Sequence, residues 1–139
     1  FNGKLSEYSA AVGLAALDQW ERTRRQNIDC SVLYAEALQE LDGIVFAPGS
    51  DVTFAKSTFN ILLPEGNLDD AIAFMNAQGI EVRQWWSKGC HREPVFENCS
   101  SGELPVTEKL GRRVLGLPFF SGLTAQEIGR VRSSLESFI

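Results

Sequence analysis

The sequence is short of most of what marks a metal site, a secreted scaffold or a nucleic-acid binder. It has one histidine, His91, and three cysteines, Cys30, Cys90 and Cys99, in 139 residues. Cys90 and His91 are chain neighbours and no fourth ligand stands at a suitable spacing, which argues against a closed zinc site. No Asp or Asn is evident to orient His91, so a Cys90–His91 nucleophile is disfavoured as well. An odd number of widely spaced cysteines without a C-x-x-C pair points to reduced thiols and a cytoplasmic setting, and leaves the Asn98-Cys99-Ser100 sequon formal only. Basic charge is also scarce: 13 Lys and Arg stand against 18 Asp and Glu, for a net charge of -5. No broad basic surface exists to neutralise a phosphate backbone, so nucleic acid is not an expected partner. No apolar run nears the roughly 18 residues of a membrane span, and the first residues lack the regions of a secretory signal. There is no glycine-rich phosphate loop after a strand, no internal repeat and no low-complexity tract.

What is present suits one globular unit with a core, since 44% of residues are hydrophobic and 22% charged. From Ser6 to about Leu41 there is no proline and only Gly13, with Leu14, Leu17, Ile28, Val32, Ala35 and Leu38 near helical spacing. One long helix is predicted, with room for a bend, capped by Ser6 and stopped by Asp42-Gly43. At 1.5 Å per residue it would span roughly 50 Å, long enough to bridge to something else. The small side chains Ala10, Ala11, Gly13, Ala15 and Ala16 suit close approach, either within the domain or at an interface.

Residues 57–64 and 80–86 are rich in β-branched or aromatic side chains and read as strands. Between them, 67–78 reads as a compact amphipathic helix ended by Gly79. Leu104-Pro105 is expected to open a helix through about Leu115, 115–120 to be extended, and Thr124 to Glu127 to form a capping box for a closing helix. The fold class is α+β (α/β), a long N-terminal helix followed by a few-stranded sheet covered by helices. It divides as residues 1–42, a bridging and interface helix, and residues 43–139, a small α+β domain.

Residues 87–103 stand apart as about seventeen residues without periodicity. In and beside this loop Arg83, Lys88, His91 and Arg92 gather after Trp85 and Trp86. Cations with an imidazole can neutralise a phosphate or diphosphate, and an indole face can stack on a base or cover a sugar ring. The alternative is a solvated basic loop with one Trp in the core, since strand alternation sends the two to opposite faces.

Three stretches in order resemble the C-terminal part of the DegT/DnrJ/StrS family of sugar aminotransferases. "NGKLSEYSAAVGLAALD" is similar to that family's Asn-x-basic-x-Ser-Glu-x-x-Ala-Ala-x-Gly-Leu signature. "GIEVRQWWSKGCHREPVF" is similar to its Gly-Ile loop with His-x-x-Pro-x-aromatic, and "LPVTEKLGRRVLGLPFFSGLTAQEI" to its closing helix, Leu-x-Leu-Pro turn and Leu-Thr helix start. The resemblance implies the small C-terminal domain of a fold type I enzyme, like aspartate aminotransferase, with the large pyridoxal phosphate domain absent from this chain. It implies amino transfer, typically from glutamate, to a keto group on a nucleotide-linked sugar; a sugar dehydratase of the same family and a non-catalytic α+β ligand-binding module are the alternatives. None of Lys4, Lys56, Lys88 and Lys109 matches the family's Schiff-base position, so no catalytic residue is assigned and the chain alone is expected to be silent and to bind the cofactor weakly. Asn2 matches the Asn that reaches the cofactor phosphate of a partner subunit, which implies a homodimer with a shared active site. Lys4 matches a position that often faces that site, and His91 the loop His near the sugar or its diphosphate. Trp85 and Trp86 depart from the commoner His-Tyr pair, and with Lys88 they complete the expected substrate side.

Overall fold

Local signals set each helix before packing decides its face. In the computed structural model, which describes residues 3–47, 54–64, 68–85 and 88–139, Ser6 caps helix α1 (Glu7–Asp18) by accepting from the Ser9 amide at 3.1 Å. The expected single helix is two. It is interrupted at Gln19, whose amide reaches only to the Ala16 carbonyl, and resumes as α2 (Trp20–Leu38). It also ends at Leu38, short of Leu41, before the turn in which Gly43 takes a φ of 82°. No side chain of α1 is buried, whereas α2 buries Cys30, Ser31, Tyr34 and Leu38 along its second half.

The sheet has three antiparallel strands in chain order: β1 (Val45–Phe46), β2 (Phe59–Leu62) and β3 (Val114–Leu117). β2 pairs with β3 so that Phe59 faces Leu117 and Asn60 faces Gly116. Alternation then turns Phe59, Ile61, Leu115 and Leu117 to one face, where α2, α3 (Leu68–Ala77) and α5 (Ala125–Phe138) cover them. Tyr34 sits at the centre of this core with no exposed surface. It stacks on Phe59 at 4.7 Å between ring centroids, and its hydroxyl donates to the Pro118 carbonyl at 2.7 Å. Each large apolar side chain buried here is worth roughly 1.5–3 kcal/mol. Burial also pushes the Cys30 thiol up to about 11, which leaves it inert.

Two expected elements come out differently. The helix opened by Pro105 ends at Gly111 as α4 (Pro105–Gly111), short of Leu115, and β3 begins at Val114 and runs into the stretch expected to be extended. Leu115 and Leu117 bury against the core only in alternation, and the Arg113 guanidinium donates to the Leu63 carbonyl at 2.7 Å, so β-pairing outcompetes another helical turn. The predicted strand 80–86 supplies a single bridge, Arg83 to Gly116, with N–H to O distances of 2.9 and 2.7 Å. Beyond it Trp85 turns across the outer face of the sheet, where a Cβ on Gly116 would stand 2.3 Å from its Cδ1 and Nε1. Gly116 is therefore the seat of the indole, and Trp85 does not enter the core. α3 closes as expected: Gly79 takes a φ of 71°, its amide bonds to Asn76, and the Ile80 amide reaches back to Met75.

Candidate functional site

The described part of the seventeen-residue loop contains two short 3-10 turns, Cys90–Arg92 and Pro94–Phe96. The first turn delivers His91 and Arg92 onto α4. There Pro105 starts the helix with its fixed φ and places Glu108 in the first turn, next to the two cationic side chains. The Arg92 guanidinium donates to Glu108 Oε1 through Nε at 3.0 Å and also through Nη2. His91 Nε2 lies 3.3 Å from the same oxygen. These hydrogen bonds, Arg92 before His91, hold the Glu108 carboxyl below its ordinary value, so it is an ionised acceptor at neutral pH.

His91 is packed as well as paired, with a tenth of its side chain exposed. Gly89 makes room for it. A Cβ at that position would stand 2.9 Å from His91 Cε1 and Nδ1 and 2.9 Å from Thr107 Cγ2, and the Gly89 φ of 91° already suits glycine best. His91, Arg92, Ser101, Leu104 and Glu108 line an open cavity of about 400 Å³. Its chemistry is mixed: donors, an acceptor carboxylate and a small apolar wall, which suits a polyhydroxylated ligand better than a bare anion.

A second and larger groove, about 460 Å³, lies by the start of α5 and is lined by Trp85, Phe119, Phe120, Arg83 and Arg130. Arg83 is paired there with Glu81 at 2.6 Å, and Arg130 donates to the Gln78 carbonyl. The two cavities share no lining residue. The cationic cluster expected from the sequence is thus divided: Arg83 and Trp85 face one hollow, His91 and Arg92 the other. Lys88 is exposed at the entry to the loop, and Lys4 is exposed in the segment before α1. Asn2 and Trp86 lie outside the described residues. Lys56 holds its ammonium 5.6 and 5.3 Å from the Phe54 and Phe59 ring centroids.

Glu108 and Gly89 escaped the reading of the sequence. The separation of seventeen positions from His91 to Glu108 hides their meeting. The one available signal was an acidic residue in the first turn of a helix opened by proline.

The family model of DegT/DnrJ/EryC1/StrS aminotransferases matches residues 1–136. A dTDP-4-amino-4,6-dideoxy-D-glucose transaminase of Escherichia coli is 29% identical over 143 residues, covering 96% of this chain and 38% of that protein. A pleiotropic regulatory protein of Geobacillus stearothermophilus is 27% identical over 144 residues, covering 99% and 38%. The solved structure of DesI in the presence of its TDP-sugar product superposes with a TM-score of 0.87 at 29% identity, covering 98% of this chain and 36% of DesI. The chain therefore spans a little over a third of the length of these relatives, and the resemblance read from its three motifs is borne out: it belongs to the DegT/DnrJ/EryC1/StrS aminotransferase family.

Proposed function

We propose that this member of the family is the C-terminal part of a pyridoxal phosphate-dependent enzyme that transfers an amino group, with glutamate as donor, to a keto group on a nucleotide-linked sugar. The observation that carries the reading is the family match along nearly the whole chain together with a shared fold at a little over a third of the relatives' length. In this reading residues 43–139 form the small domain, and residues 1–42 bridge to a large domain and to a partner subunit. No step through the cofactor is assigned to this chain.

The chain's own contribution is to the substrate surface of a cytoplasmic homodimer. His91, held by Glu108, presents an imidazole beside the mixed cavity and Lys88 adds positive charge at the loop entry, while Trp85, on the separate groove, and Trp86 serve apolar ligand surface. Asn2 and Lys4, ahead of α1, serve the cofactor phosphate and the substrate of the partner subunit. The test is the intact mass and near-ultraviolet to visible absorbance of the product expressed from the native locus, followed by an assay with glutamate and a nucleotide-linked keto sugar. A longer product with a Schiff-base band and amino transfer is expected. A colourless native product of 139 residues overturns the reading in favour of a ligand-binding module.

A further inference from the structure

The contacts of the single histidine fix more than its position. An ionised carboxylate only accepts hydrogen bonds, so a bond between His91 Nε2 and Glu108 requires the proton on Nε2. In the neutral ring Nδ1 is then left with its lone pair. Arg92 secures the arrangement from the other side by donating twice to the same Oε1, and the Nδ1–Cε1 edge lies beside Gly89. No other described residue makes a hydrogen bond to the imidazole.

We infer that Glu108 is a positioning residue that locks the His91 imidazole with Nε2–H turned to its carboxylate, so that in the neutral ring Nδ1 is left as an acceptor for any ligand group that reaches it. The lock does not depend on the proposed function. Glu108 acts through His91 alone. Because Arg92 and His91 converge on one oxygen, a side chain that keeps Oε1 but loses the charge should keep the lock.

The experiment uses the fact that His91 is the only histidine in the sequence, so one imidazole gives one set of signals. Long-range proton–nitrogen correlation spectra of the nitrogen-15-labelled chain, taken on the alkaline side of the imidazole titration, separate a protonated ring nitrogen from an unprotonated one. Wild type is expected to show Nε2 fully in the protonated range and Nδ1 fully in the unprotonated range, with a nuclear Overhauser contact from Hε1 to the Gly89 α protons. Glu108→Ala should draw the two nitrogen shifts toward the average of exchanging tautomers and remove the contact, while Glu108→Gln retains both. Averaged shifts in wild type, or an unchanged spectrum in Glu108→Ala, would overturn the inference, and the wild-type spectrum decides it even if a variant folds poorly. Neither outcome depends on whether the native product transfers amino groups, so the two ideas fail separately.

Discussion

Helices α1 and α5 begin alike and end up in opposite circumstances. Ser6 and Thr124 each cap their helix by accepting from the backbone amide three residues on, and the Thr124 amide in return donates to the Glu127 carboxylate. Yet α5 buries Ile128, Val131 and Leu135, while α1 buries nothing and leaves Leu5, Tyr8, Val12, Leu14 and Leu17 between 53% and 80% exposed. A cap decides where a helix starts. Whether the helix stabilises the fold depends on a partner for its apolar side chains, and α5 packs on α2 and α3 where the contacts of α1 are chiefly at its junction with α2.

The largest expected effect tests burial directly. Leu135→Ala removes a side chain with no exposed surface and should cost about 2–5 kcal/mol in urea unfolding. Leu14→Ala, in α1, should stay within about 0.5 kcal/mol. Equal losses would mean that α1 is packed in solution. Next in size are the caps. Thr124→Ala should lower stability by about 1 kcal/mol, whereas Ser6→Ala should leave the unfolding midpoint unchanged and show up as faster amide exchange at Ser9 and Ala10.

Acid sharpens the same contrast. Hydrogen bonds from the Thr124 backbone and then its side chain hold the Glu127 carboxyl below its ordinary value. A depressed folded value means that the contribution is complete above the ordinary carboxylate range and is lost as pH falls through the folded value. Exchange protection at the start of α5 should therefore drop on acidification below that range, and Glu127→Gln should flatten the profile. The smallest effect on stability, though a visible one on mass, concerns the exposed residues of α1. They are expected to drive self-association, and light scattering should give a larger particle for wild type than for Leu14→Glu. Equal monomer masses would remove the idea.

The elements that could be read from the sequence were those written in neighbouring residues. Ser6, the Thr124–Glu127 box, Gly79 and the alternation of Phe59 and Ile61 act within a few positions, and the structure has each where the pattern puts it. Residues 115–117 came out extended as expected, but Val114, placed in the preceding helix, joins them because β2 offers a pairing partner that no neighbouring residue announces. Residues 80–86 have strand composition, but a single bridge to Gly116 suffices to seat Trp85. β1, two residues long, has no sequence pattern at all and exists because β2 offers it an edge. At the site, His91 stood out as the only histidine. Its partner Glu108 is one acidic residue among 18 Asp and Glu, and only the path of the loop singles it out.

The interruption at Gln19 gives α1 the mechanics of a lever. Its twelve residues extend about 18 Å from the junction, so a turn of about 10° there carries the far end through about 3 Å. Lys4 lies just past that far end, three residues before Glu7. A surface that grips Leu14 and Leu17 therefore sets the reach of Lys4 through one backbone angle, without disturbing Tyr34 or the sheet beneath it.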